Sequence, residues 1–204
     1  MTKALKMNTQ NHWEKLGVLS GYPLGAMTAV VSMLRHSRTF HPKGQLFEGE
    51  IRGLENHEVL SGSVMVRFSS ALWKNKELPD VLGVALRMGS EHNEFTPHPQ
   101  PDDQDLLFAT IRKPYLTPLG PFTTQFRSYF HNEFYAVSPF EMNGERVEFR
   151  LKIETDLSKH PRAKREQQLR DGYRQVVIWL QMKPFHQPGT DWKDVAEITL
   201  DRVS

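Results

Sequence analysis

No cysteine occurs anywhere in the 204 residues. Disulfide staples, thiolate nucleophiles and Cys-based zinc or iron–sulfur centres are therefore excluded, and the composition suits a reducing compartment. Long apolar runs are missing as well. No stretch approaches the roughly 18 uninterrupted apolar residues of a membrane-spanning helix, and none follows the basic start Met1-Thr2-Lys3-Ala4-Leu5-Lys6. Neither sign of charge dominates: the formal net charge is +2, too small to argue for nucleic acid on electrostatic grounds. There is no Gly-rich phosphate loop, no Gly-x-Ser-x-Gly elbow and no His-Glu-x-x-His. With 38% hydrophobic and 25% charged residues, a chain of this length supports one well-buried core. The expectation is a soluble, cytoplasmic protein with neither membrane nor nucleic acid as partner. Residues 1–21 are expected to form an N-terminal arm, and residues 22–204 a single domain.

What is present is mostly strand pattern. A helix is predicted from Tyr22-Pro23, with Leu24, Met27, Val31 and Leu34 on one face and Arg35 and His36 in its last turn. It leads into the turn Arg38-Thr39-Phe40-His41-Pro42-Lys43-Gly44. From there Gln45–Arg52 alternates loosely, and Ser63–Ser69 more cleanly. In the latter, Val64, Val66 and Phe68 share one face while Met65, Arg67 and Ser69 share the other. Val81–Met88 is a third strand. Asp105–Ile111 is nearly continuous and apolar, which predicts burial on both faces. Glu91–Asp103 reads as an exposed loop. Prolines at 114, 118 and 121 make 112–132 an irregular packed segment with one short helix. Phe134–Glu141 and Arg146–Thr155 are expected to form a hairpin about Asn143-Gly144. Ser158–Gly172 is a charged surface helix or lid, and Val176–Lys183 and Val195–Asp201 are the last strands. Seven or eight strands, mostly hairpin-connected, predict an α+β, mainly β fold. It is an antiparallel barrel or sandwich with an N-terminal helix and one charged helical insertion.

These motifs, in this order, resemble the catalase superfamily. Arg-Thr-Phe-His-Pro-Lys-Gly at 38–44 is similar to the catalase segment carrying the distal histidine, and Val66-Arg67-Phe68-Ser69 resembles the family's Val-Arg-Phe-Ser strand. Asp80–Arg87, Asp105-Leu106-Leu107, Asn143-Gly144 through Thr155-Asp156, Ile178–Met182 and Ile198–Arg202 also have counterparts, so the likeness runs from about residue 22 to the C-terminus. The resemblance implies a catalase-like β-barrel. It implies haem as cofactor and hydrogen peroxide or an organic hydroperoxide as the small-molecule partner. His41 would move a proton between peroxide oxygens, a role that imidazole suits near neutral pH. Ser69 would support His41, and Arg38 and Arg67 would hold the haem propionates.

Two departures qualify these expectations. Where the family has a distal Asn after Asp-Leu-Val-Gly, this chain has Ala109, which donates no hydrogen bond to peroxide. Thr110 is adjacent but on the opposite strand face. The family's proximal tyrosinate comes from a helix after the barrel, and this chain ends at Ser204. Tyr173, with Arg170 nearby, is the remaining axial candidate, and the metal ligand stays unknown. Two further functions stand beside the haem enzyme: a haem-free barrel binding a small anionic, partly apolar ligand, and a non-redox enzyme reusing His41. A partner chain or a homo-oligomer completing the site is also open. The bland readings are a structural His41 bonded to Ser69 and an outward, salt-bridged Arg67. The His92, His98, Glu91, Glu94 and Asp102 group reads as a solvated loop, and the basic run Lys159–Arg174 as a solvated helix face.

Overall fold

The computed structural model of the chain describes residues 43–73, 76–89, 103–112, 119–158, 163–185, 187 and 189–204. The predicted N-terminal helix, the turn residues 38–42 and the loop 91–102 lie outside the described residues.

Nine strands are present among the described residues. They are β1 (Lys43–Gly53), β2 (Gly62–Ser70), β3 (Leu82–Met88), β4 (Gln104–Ala109), β5 (Glu133–Ala136), β6 (Phe140–Met142), β7 (Glu145–Thr155), β8 (Val176–Pro184) and β9 (Lys193–Val203). Every pairing is antiparallel. The sheet order is β5-β4-β3-β2-β1-β9-β8-β7-β6, and a further β5–β7 pairing closes it into an eight-stranded barrel with β6 as a hairpin partner of β7. The predicted antiparallel barrel is therefore the fold. Among the described residues two short α-helices accompany it, α1 (Gly120–Thr123) and α2 (Arg165–Gly172). Among the described residues no helix is long and apolar enough to cross a membrane.

Period-two alternation sets which side chains fill the barrel. Phe47 pairs with Val66, Val66 with Leu86 and Leu86 with Leu106, so one inward row crosses four strands. The next row runs Phe68, Val84, Phe108, Ala136. From β7 and β8, Phe149, Leu151, Ile178 and Leu180 meet them, and all belong to one buried core. The barrel is thus packed solid by branched and aromatic side chains, as a small barrel must be. At the end where β1 begins, Tyr129 stacks edge-on to Phe68 at 5.4 Å and Tyr173 lies 5.1 Å from Phe47. With Phe130 and Leu169 they stopper that end. Lys43 fixes α2 over it through an ion pair with Glu166 at 2.7 Å.

Three expectations change. Asp105–Ile111 is not buried on both faces: Leu107 is 51% exposed while its neighbours Leu106 and Phe108 point inward. An apolar residue on the outer face made an alternating strand look continuous. Phe134–Glu141 is not one strand. Val137-Ser138-Pro139 interrupts it, because proline has no N–H to give a ladder, so the hairpin about Asn143-Gly144 joins β6 to β7. Both turn residues have positive φ, 53° and 79°, which Asn and Gly tolerate best. Finally, Lys43 and Gly44 open β1 rather than closing a turn.

At Gly49 the β9 backbone crosses β1 so closely that a Cβ would sit 1.9 Å from the Thr199 carbonyl oxygen, next to a shift in β1–β9 register. No side chain fits without moving backbone. Gly49→Ala is expected to destabilise the fold by about 2–3 kcal/mol. Gly144→Ala, where a Cβ meets nothing within 4 Å, is expected to cost only about 1–2 kcal/mol of left-handed strain. Urea denaturation of both variants checks the order.

Candidate functional site on the outer barrel face

Strand pairing carries one row of residues across the outside of the barrel. Gly44 is opposite Ser69, Ser69 opposite Gly83, Gly83 opposite Ala109 and Ala109 opposite Tyr135. The first four are small, so the backbones of β1 to β4 form a low shelf. At about 4.8 Å per strand spacing it is roughly 14 Å wide. The row beside it is Leu46, Arg67, Ala85 and Leu107. Arg67 and Ser69 therefore share the outer face, as the alternation in β2 predicts. Ser69 and Gly83 are buried, Ala109 is half-buried and Gly44 is exposed.

Arg67 lies down across β1 rather than standing away from it. A Cβ on Gly44 would be 2.7 Å from Arg67 Nε and 2.8 Å from Cζ, so glycine at 44 makes room for the guanidinium. Ser69 Oγ donates to the Gly83 carbonyl at 3.5 Å, a long bond. His41 and Arg38 lie outside the described residues. β1 starts two residues after His41, with Lys43 opposite Ser70 and Gly44 opposite Ser69. Ala109 sits on the shelf, in the same row as Ser69. Thr110 is turned away and already used: its Oγ1 accepts from Leu82 N at 3.2 Å and meets Thr124 Oγ1 at 2.7 Å.

No protein-family model matches the chain, and no curated protein matches it.

The described side chains fit one part of a haem-type group and not another. The shelf suits a flat body, and Arg67 suits a carboxylate. Among the described side chains no iron ligand is offered. Tyr173 is the sequence candidate, but its ring packs on Phe47 and its hydroxyl donates to the Asp201 carbonyl at 3.2 Å. Burial pushes the Tyr129 phenol up to about 12, which keeps it protonated rather than tyrosinate. Burial and the Glu133 carboxylate raise Tyr135 as well. Both ring nitrogens of His131 are engaged, Nδ1 with Ser128 Oγ and Nε2 with the Leu157 carbonyl, each at 3.0 Å. Among the described residues no three His, Asp or Glu side chains gather as a metal-ligand group.

Two buried charged side chains that period-two alternation does not mark support the fold around the site, Asp80 beside the shelf and Arg165 at the stoppered end of the barrel. Asp80 is wholly buried and accepts from Leu72 N at 3.0 Å, Trp73 N at 3.1 Å and Val81 N at 2.8 Å. One carboxylate thereby ties the segment leaving β2 to the start of β3, on either side of Ser69 and Gly83. Arg165, only 3% exposed, donates through Nη1 to the Phe126 carbonyl at 2.6 Å and stacks over Tyr129 at 5.2 Å. Its backbone N–H donates to Glu77 Oε1. An acidic residue before a strand carries no periodicity signal, so Asp80 was visible only as a type. Arg165 sat in a run whose charge suggested a solvated face.

Burial outweighs the N–H donors and raises the Asp80 pKa. The folded chain therefore takes up this proton at higher pH than the unfolded chain. The associated stability is full below the ordinary aspartate range and is lost as pH rises through the raised value. Asp80→Asn keeps the shape but sets an amide N–H against a backbone N–H. The gap to wild type is expected to narrow as pH rises, because only wild type loses stability through this ionisation. Chemical denaturation of both proteins across the acid range tests the slope.

Proposed function

We propose that this protein is a catalase-related barrel. It binds a flat, carboxylate-bearing group of the haem class on the outer face of β1–β4 and acts on hydrogen peroxide or an organic hydroperoxide with altered activity. The observation that carries the reading is the shelf Gly44–Ser69–Gly83–Ala109 with Arg67 lying beside it across Gly44. On the resemblance, Arg38 and Arg67 hold the carboxylates and His41 is the acid–base group, with Ser69 as its support. A bound haem would supply the redox centre. Arg67 orients the group by pairing with a carboxylate, and the shelf excludes water from one of its faces. Ala109 gives peroxide no hydrogen bond, so its polarisation falls to His41 alone. No step is assigned to the iron, because the described residues provide no ligand for it.

The lack of an iron ligand among the described residues favours a second reading, in which the same shelf and Arg67 hold a small anionic, partly apolar molecule without redox chemistry. Tyr173, Tyr129 and His131 are all committed elsewhere.

Production with haem precursor followed by haem titration and visible spectroscopy separates the two. A Soret band at one equivalent is expected, and its absence overturns the haem reading. Arg67→Ala is expected to weaken haem binding by roughly 10–100-fold, the worth of a charge-assisted hydrogen bond. His41→Ala is expected to leave haem bound and slow peroxide consumption by roughly 10²–10⁴-fold. Unchanged turnover removes His41 from the mechanism.

A further inference from the structure

The two ends of the barrel are closed differently. Tyr129, Tyr173, Phe130 and Leu169 stopper the end where β1 begins. At the other end, where β1 stops and β2 starts, the core ends in a cavity of about 380 Å³. Its lining includes Ile51, Leu106 and Phe149 from inward strand positions, with Met88, Phe140 and Met142 around them. This is the size and position of small-molecule sites in barrel mouths.

The lining also defines the chemistry. Phe140 and Phe149 are 5.5 Å apart and tilted, so they present ring faces and edges together. Two methionine side chains give the wall an adaptable, polarisable surface. Glu141 is the one ionisable residue of the lining among the described residues, and alternation in β6 places it on the opposite face from Phe140 and Met142. Its cross-strand neighbour Arg146 stacks on Phe185 at 4.6 Å. Gln104 is on the inward register of β4 with Leu106 and is exposed at the rim. Its amide offers one donor and one acceptor group.

We propose that this mouth is a binding site for an uncharged apolar molecule, a short alkyl chain or single ring carrying one hydroxyl or carbonyl that reaches the Gln104 amide. The site lies at the opposite end of the barrel from the Ser69 end of β2, and it does not depend on the proposed function. Charged relatives of the same ligand are rejected because, among the described residues, no side chain on the inward register compensates an ion there.

The probe is 1-octanol, titrated into protein carrying ¹³C-methyl methionine, with Met88→Leu and Met142→Leu used for assignment. The Met88 and Met142 methyl signals are expected to shift saturably while Met65, on the outer register of β2, stays still. Affinity is expected to fall about fourfold per methylene removed between 1-octanol and 1-hexanol, as buried methylenes require. Octanoate and octylammonium are expected to bind at least about tenfold more weakly. Met142→Trp, which fills the cavity, is expected to abolish the shifts. If that variant fails to fold, the chain-length and charge series on the native protein still decide the matter. Absent shifts, Met65 moving with the others, chain-length-independent affinity, or equal binding of the charged probes overturns the proposal.

Discussion

Three residue pairs, Glu133–Lys152, Phe134–Leu151 and Tyr135–Arg150, join β5 to β7 and turn an open sheet into a ring. Everything else in the fold leans on that closure. It leaves β5 and β7 without free edges, where unpaired N–H and C=O groups would invite pairing with another chain. It seals Phe134 and Leu151 into the core, both fully buried. It also sets the outside: Tyr135 takes its place at the end of the small-residue row only because β5 is held in register against both β4 and β7. The outer surface there is tied down by polar contacts. Arg150 reaches Glu133 at 2.9 Å and Gln181 at 2.6 Å, and Gln181 reaches Asp194 at 2.7 Å.

A closed, solidly packed barrel has no interior to lend to a cofactor of haem size. Binding chemistry is pushed to the outer face and to the ends. On the outer face the side chains that matter are small or lie flat. At the stoppered end a helix, an arginine and two tyrosines take the place of a ligand, and Lys43–Glu166 keeps that helix in place. The open end keeps an apolar floor of strand residues, with Val59 and Leu60 of the β1–β2 connection at its side. The same alternation that fills the core therefore determines where function has room.

The barrel was legible because period-two alternation in β2 and β7 is clean and turn residues are well marked. Alternation alone assigns Arg67 and Ser69 to one face, and the same rule sets Thr110 apart from Ala109. The β5–β6 break was legible too, in Pro139, but a run of aromatic and apolar residues from Phe134 to Phe140 outweighed it. The role of Gly44 was not legible. A glycine next to Lys43 reads as a turn, whereas its use here is to admit the Arg67 side chain from another strand, a contact 23 residues away in sequence that no local pattern encodes. Asp80 was hidden for a different reason: its partners are nearby backbone amides, which every sequence has.

The Asp80 clamp has a kinetic consequence. The amides of Leu72, Trp73 and Val81 end on one carboxylate, so the segment between β2 and β3 cannot peel away one hydrogen bond at a time. Releasing the side chain breaks these three hydrogen bonds in a single event. Their exchange with solvent should then be correlated, reporting one local opening rather than three. Because that segment begins where Ser69 and Ser70 end β2, the same opening sets how often the edge of the shelf comes loose.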